Sequence, residues 1–559
     1  MRKISGYTFL VLCATLAIDV RAEDNCKHFD YSLEQIAQFR LNQFPTDMFE
    51  QWQGKTIRTI RIESEPVFDP NNPSENNFLY RALDKLHLNT RPRVIKAQLL
   101  FAEGQPLESE KILESARILR GRGYLANAYI VPEQVCGDSI DLRVVTRDAW
   151  STEPDTSLSH DGGETKSGFG ICENNLLGSG TTLSVGYEKM AERNTVSYEL
   201  TSPHVLNTRY KAHLLYADKS DGTDKVFDIS KPFYSLQTRW AYGFSTKDIT
   251  ETEHIRAGDK DLDEFSHEVV NREISLGYAF LVSDAATHRL STGFTHSEDV
   301  FRRTPKTVQP LPEERENTYP WIGYRYLQNE FGVFKNIRQI QRLEDISTGK
   351  DFYVRLGYGG DSFDNDRDAL FISSKYSDYQ GIFDKHLLEF SGGLDARVQT
   401  ESEAPDSGVA YAEFSYNYFI SEKQRWYLAA RFDRGENLRS YEELTVGGST
   451  GMRGYPLDYQ RGNKRYLLTL ERRYFSDVHL FNLLRFGMVA FAESGRAWGS
   501  SYDRFYSNDQ NLTDIGLGLR ISSSKAKIGN VVHIDLSMPT ASKQDIDKFQ
   551  WLVTTSTLF

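Results

Sequence analysis

The stretch ISLGYAF, residues 274–280, sets Ile274, Leu276, Tyr278 and Phe280 on alternate positions and only small residues between them. A segment written with a period of two is a strand with one apolar face and one narrow face. The same pattern recurs on both sides of it. Upstream it is found in LSVGY (183–187), YKAHLLY (210–216) and WAYGF (240–244), and downstream in FYVRLGY (352–358) and WYLAARF (426–432). The intervening positions carry residues such as Lys211, His213, Ser245, Ser275, Arg355 and Arg431. A soluble sandwich also alternates, but it rarely does so from about residue 165 to the end of a chain with aromatics on the apolar face. A membrane barrel does, because lipid touches one face of each strand and water the other.

Composition agrees. Mean hydropathy is −0.52, and beyond the first residues no apolar run approaches the length of a membrane helix. Yet 13% of residues are aromatic and 40 are glycine, as expected where aromatics gather at two interfaces. The predicted fold is therefore an all-β transmembrane β-barrel over 165–559. At roughly 25 residues per strand and loop it has about 16 antiparallel strands, an even number. Polar stretches such as 250–268 and 302–315 read as outer loops. The net charge of −12 argues against nucleic acid as a partner.

The two ends fit this reading. MRKISGYTFLVLCATLAIDVRAED has a basic start at Arg2 and Lys3, an apolar run, and Val20 and Ala22 before Glu23. Residues 1–22 thus read as a secretory signal peptide. The chain closes on KFQWLVTTSTLF, with Phe549, Trp551, Val553 and Phe559 on one face of a strand. Trp551 and the terminal Phe559 resemble the C-terminal signal of bacterial outer-membrane barrels, which implies that location.

Before residue 155 the signals are mixed. A helical segment is expected over 23–54, then a small α+β domain over 55–150 and a linker over 151–164. In the domain, KTIRTIRIE, YLANAYIV and DSIDLRVV read as strands, and two helices lie between the first and second of them. Ile112, Leu113, Ala116 and Leu119 recur at helical spacing, Pro106 stands ahead of them, and Gly121 and Gly123 follow. This order, with GQPL at 104–107 and GYL at 123–125, resembles one POTRA domain. Such modules bind extended clients along a sheet edge, with the N-terminal part in the periplasm.

Three cysteines lie beyond the signal: Cys26, Cys136 and Cys172. An odd number leaves one thiol over, and whether Cys26 pairs with Cys136 stays open at this level. The 12 histidines form no zinc motif, so no metal and no cofactor is expected.

The motifs of the barrel region resemble the BamA/TamA superfamily of outer-membrane barrels, the bacterial surface antigen family. NLLGSG (175–180) is similar to that family's opening hairpin. MRGY (452–455) is similar to the tip of its inward-folded loop, here 446–466. FAESG (491–495) is similar to its F-x-D-x-G strand motif, through Phe491 and Gly495, with Glu493 where Asp is usual. DIGLGLR and HIDLSMP resemble the end of the domain. The resemblance implies that Arg453 offers its planar fork to Glu493 and Glu471, while Gly454 lets the chain fold back and Tyr455 packs on the wall. It also implies a non-enzymatic machine with unfolded outer-membrane or secreted proteins as clients. Outer-membrane lipid surrounds it, and accessory periplasmic or lipoprotein partners are in keeping. Its seam would join Gly168–Cys172 to Trp551–Phe559. One POTRA is fewer than BamA, TamA or two-partner secretion pores carry, which favours a specialised role. A dedicated secretion pore and a lipid-handling barrel are the neighbouring readings. A solute channel needs no POTRA. A barrel hydrolase has only His533 and Asp535, two apart on one strand, to recommend it, and no G-x-S-x-G occurs.

Overall fold

The computed structural model describes residues 26–32, 35, 48–155, 158–161, 164–190, 192–258, 260–363, 365, 367–381, 385–400, 406–503, 510–526, 531–540 and 546–556. The signal segment 1–22, most of the helix expected within 23–54, and Phe559 lie outside these residues.

The N-terminal domain is a sheet of four strands, β1 (Cys26–His28), β2 (Thr56–Glu65), β3 (Leu125–Cys136) and β4 (Ser139–Asp148), in the order β1-β3-β4-β2. Strand β4 runs parallel to β2 and antiparallel to β3. Among the described residues three α-helices complete it: α1 (Phe78–Leu86), α2 (Pro92–Gln98) and α3 (Ser109–Arg120). As its spacing predicts, α3 buries Ile112, Ala116 and Leu119, and Gly121 closes it by donating to the Arg117 carbonyl. These side chains meet Ile57, Ile95, Leu107, Leu125, Ile140, Leu142 and Val144 in one core.

Three expectations for this region are corrected. Helix α1 adds a third helix to the two expected; Asn77 caps it by accepting from the Tyr80 N–H at 3.0 Å, and the turn-rich residues before it mask its start. Segment 23–54 is not uniformly helical, since Cys26–His28 is an edge strand on β3 and Cys26 is disulfide-bonded to Cys136. The domain also begins well before residue 55, because Phe49 and Trp52 are part of its core. A three-residue strand has no periodicity to read, and its partner lies 110 residues away.

The barrel wall opens with β5 (Thr152–Asp155) and β6 (Leu158–Asp161), two halves of one strand lying against β7 (Glu164–Glu173). Next come β8 (Thr182–Lys189), β9 (Asn194–Ser202), β10 (Lys211–Lys219), β11 (Gly222–Lys231), β12 (Trp240–Ala257), β13 (Lys260–Val282), β14 (Ala286–Arg303) and β15 (Arg315–Gln328). A separate hairpin, β16 (Phe331–Lys335) with β17 (Leu343–Ser347), interrupts the wall. The wall resumes with β18 (Asp351–Gly359), β19 (Ala369–Gly381), β20 (His386–Gln399), β21 (Ser407–Ser421) and β22 (Gln424–Glu436). A long loop holds the short pair β23 (Leu444–Val446) and β24 (Gln460–Gly462). Then β25 (Lys464–Leu480), β26 (Leu484–Trp498), β27 (Leu512–Ser523), β28 (Val531–Pro539) and β29 (Gln550–Ser556) complete the ring.

The sheet is antiparallel throughout and closed. The alternation maps as expected. Ile274, Leu276, Tyr278 and Phe280 are exposed on the outside, as are Trp240, Tyr242, Phe244, Leu356, Tyr358, Trp426, Leu428 and Phe432. Such a belt on a closed cylinder is a membrane-facing surface.

Counting β5 and β6 as one, the wall has about 20 strands rather than about 16. The turns are shorter than the assumed spacing allows; Ser220 and Asp221 alone join β10 to β11. Within 151–164, expected as linker, residues 152–155 and 158–161 are wall. They show no alternation because main-chain pairing with β7 makes them strand. Closure accordingly runs through β6 and β29, where Val553 pairs with His160 and the Trp551 ring stacks on the His160 ring at 4.0 Å. It does not run through Gly168–Cys172, which lie on the second strand of the wall and pair with β8. Residues 250–257 and 260–268, expected as outer loop, are the upper halves of β12 and β13. Polar side chains on both faces hide a strand once it rises above lipid.

The N-terminal domain lies across one mouth of the barrel, here the near mouth. The Arg91 N–H donates to the Gly178 carbonyl at 3.0 Å. Arg209 donates to Leu99 O at 2.8 Å, and the Leu236 N–H to Glu114 at 2.7 Å. Arg120 pairs with Asp345 at 2.6 Å and Lys525 with Glu75 at 2.7 Å, and Asn482 donates to Ser74 at 2.6 Å. These partners sit on turns distributed around the ring.

Candidate functional site

The loop between β22 and β25 leaves the far end of the wall and turns back inside it. Gly447 and Gly451 have φ values of 138° and 109°, which side chains with a Cβ resist. Their turn closes with the Gly447 N–H donating to Gly451 O at 2.7 Å. Beyond it the chain is buried: Met452, Tyr455 and Tyr459 are packed with Ala497, Leu512 and Ile546.

Arg453 stands at the centre. Its Nη2 donates to Glu471 at 2.7 Å and to Glu493 at 2.8 Å, and its Nε to Glu493 at 3.1 Å. Its backbone N–H also donates to Glu493, at 3.0 Å. The structure thus brings together the three charged residues that the sequence singles out. The longer arm of Glu493 holds the fork and the main chain of the same residue at once. Gly454 donates its N–H to Asp514 at 2.9 Å, and a Cβ there would stand 2.8 Å from Asp514 Cβ. The Tyr455 hydroxyl donates to Thr513 O at 2.9 Å. Gly495 is needed for a close approach as well, since a Cβ would meet Met452 Sδ at 3.0 Å.

Other contacts of the site are not evident in the sequence. The Arg453 guanidinium lies 3.6 Å from the centre of the Phe491 ring, a cation–π contact. Its Nη1 donates to Asp535 at 3.2 Å, and Asp535 in turn accepts from Arg520 at 2.6 Å. Glu471 is shared with Arg473 at 2.6 Å. Three arginines and three acids therefore offset one another in a place shielded from water, where each charge needs its partner. Asp535 belongs to this network. Its alternating position in HIDLSMP is the available signal. Among the described residues no three His, Cys, Asp or Glu side chains form a metal-binding group.

A second cluster joins the barrel to the N-terminal domain. Asp148, fully buried at the end of β4, accepts from the Thr90 N–H at 2.7 Å and hydroxyl at 3.0 Å. It also lies 3.0 Å from His87 Nε2 and 3.4 Å from Asn175 Nδ2. Asn175 opens NLLGSG, and the glycines of that motif serve close approach. A Cβ on Gly178 would stand 2.5 Å from Asn89 O, and one on Gly180 would stand 2.5 Å from the Tyr124 ring.

His204, on the next near-end turn, packs edge-on against Tyr124 and contacts Ser179 O at 2.9 Å. Burial, and then the charge of Arg122, push its pKa down from 6.5 to about 4. Protonation is thus harder in the docked state than in the released one. The joint is fully stable above about pH 6.5 and weakens as pH falls toward 4, because the released imidazole takes up its proton first. Hydrogen exchange of the 203–210 turn is expected to accelerate across that window, and a His204→Gln protein is expected to lose this pH dependence.

No protein-family model matches the chain, and no curated protein aligns with it. In solved structures the chain is similar to BamA and CdiB. CdiB from Escherichia coli is 13% identical over 90% of this chain and 77% of its own, with a TM-score of 0.46. CdiB from Acinetobacter baumannii is 12% identical over 90% and 74%, with a TM-score of 0.44. BamA from Haemophilus ducreyi lacking POTRA domains 1–3 is 12% identical over 89% and 84%, with a TM-score of 0.38.

Proposed function

We propose that this chain is an outer-membrane factor that inserts or exports protein clients, and that it is not an enzyme. The N-terminal domain is read as a single POTRA on the periplasmic side, so the near mouth faces the periplasm. The observation that carries the reading is the loop 446–466, held inside the wall by the fork of Arg453 on Glu471 and Glu493. Four superfamily motifs in order along the chain support it, as does the docking of the POTRA through NLLGSG. A solute channel has no use for either. Clients are extended segments of outer-membrane or secreted proteins, captured along a sheet edge by main-chain hydrogen bonds. Secretion of one dedicated partner is the closest alternative.

The test is deletion of the gene followed by quantitative comparison of outer-membrane and secreted proteins. A defined subset is expected to fall several-fold, to return with the wild-type gene, and to stay low with Arg453→Ala. A single lost protein would point to dedicated secretion. An unchanged protein profile would count against both readings.

A further inference from the structure

The wall ladder of β15 with β18 ends at Leu327 and Asp351, and a new ladder begins at Phe331 and Ser347. Between them the chain bends at a tight neck, where the Thr348 and Gly349 N–H groups both reach Glu330 O and a Cβ on Gly349 would stand 2.6 Å from Gln328 O. The β16–β17 hairpin therefore leaves the cylinder at its near end.

Its tip is built as a unit. The Glu344 carboxylate accepts from the N–H groups of Ile337 at 3.1 Å, Arg338 at 2.9 Å and Gln339 at 3.1 Å. The tip reaches distant parts of the wall. Arg425 on β22 donates to Ile337 O at 2.8 Å, and Asn336 donates to Glu422 O at 2.8 Å. Ile340 is buried against Phe475 of β25 and Val531 of β28. In the ring β15 and β18 stand about halfway round from β28, so a hairpin touching both crosses the opening. A lumenal cavity of about 260 Å³ lies behind it, lined by Arg338, Tyr379, Ser391, Ser415 and Arg425.

The hairpin is also held from below. Asp345 pairs with Arg120, Arg342 donates to the Ala126 carbonyl at 2.8 Å, and the Arg117 guanidinium lies 4.3 Å from the Phe331 ring centre. Arg117 and Arg120 are on α3, and Ala126 is on β3. The Arg425 guanidinium, which holds the Ile337 carbonyl, also lies 5.3 Å from the centre of the Phe475 ring, so the tip's two wall contacts meet at one place.

We propose that the β16–β17 hairpin is a strap across the near mouth of the lumen, clamped between the wall and the N-terminal domain and released when the domain shifts. This goes beyond the functional reading and holds whichever client the barrel serves.

The test places one probe thiol behind the strap. In a Cys172→Ser, Ser391→Cys protein in nanodiscs, modification by a polyethylene-glycol maleimide is expected to be slow. Ile340→Asp, which puts a charge between Phe475 and Val531, is expected to speed it about ten-fold or more. Arg342→Ala, which cuts the tie to β3 and a longer contact at 3.4 Å to the Ala526 carbonyl on the turn after β27, but leaves Ile340 in place, is expected to give a smaller increase. Heat-modifiable gel mobility checks that each barrel is folded. If Ile340→Asp loses that mobility, Arg342→Ala decides. Equal rates in the parent and in every folded variant would overturn the proposal.

Discussion

Replacing Arg453 with alanine is expected to release the 446–466 loop from the wall while the barrel stays folded and membrane-embedded. Of its acidic partners, Glu471 keeps Arg473 and Asp535 keeps Arg520. Glu493 loses the one arginine it pairs with among the described residues and keeps, while the loop stays docked, only the residue-453 N–H at 3.0 Å and a long contact to the Thr469 hydroxyl at 3.4 Å, neither of which carries a charge. Leaving one buried charge uncompensated costs about 3–5 kcal/mol, enough to reverse the docking of a loop. The Phe491 face and the Gly454–Asp514 contact then lose their register as well. Limited proteolysis should cut the variant within 446–466 under conditions that spare the parent. Arg453→Lys keeps a charge but not the fork, so intermediate protection is expected. A double change, Arg453→Met with Glu493→Leu, removes both members of the pair and should recover part of the lost protection. Unchanged resistance in Arg453→Ala would remove the anchor from the account.

The second large effect concerns where the N-terminal domain begins. A fragment covering residues 26–150 is expected to fold alone, because its core runs from Phe49 to Val144. A fragment starting at residue 55 is expected not to fold. It lacks Phe49 and Trp52, and loss of a buried Phe or Trp side chain typically costs about 3–5 kcal/mol. It also lacks the bond from Cys26 to Cys136. Closing so long a span is worth about 4–5 kcal/mol in the chain-entropy account. Together these match or exceed the roughly 5–15 kcal/mol that holds a domain. With both cysteines changed to serine, the longer fragment should melt at least about 10 °C lower. Circular dichroism melts of the three proteins decide the matter. A cooperative transition in the shorter fragment, equal to that of the longer, would show that the N-terminal segment is an ornament.

Arg453, Glu493 and Glu471 are legible through resemblance: MRGY and FAESG are similar to superfamily motifs, and that resemblance, not periodicity or spacing, implies that the three residues meet. Asp535, Arg520 and Asp514 are not, because a lone charge on an alternating strand reads as lumen polarity until closure of the wall brings it within about 3 Å of a partner. Phe491 stands out as a motif residue, but nothing in its surroundings indicates a guanidinium on its face. NLLGSG stands out for its turn. Its glycines are explained instead by the backbone of residue 89 and the ring of Tyr124, both on another part of the chain. Residues 331–347 carry no signal, since a hairpin bent out of the wall has the same alternation as one within it.

By itself the sequence determined that the chain makes a cylinder with an apolar outside, for lipid imposes a period of two on every strand it touches, whatever lies across the lumen. The tethered loop was legible too, but through the resemblance of MRGY and FAESG to superfamily motifs rather than through any period. Only the tertiary structure decided how many strands close the ring, which strands meet, where the N-terminal domain begins and what covers the near mouth. Each of these depends on main-chain pairing or on contacts between residues far apart, and neither leaves a period in the sequence.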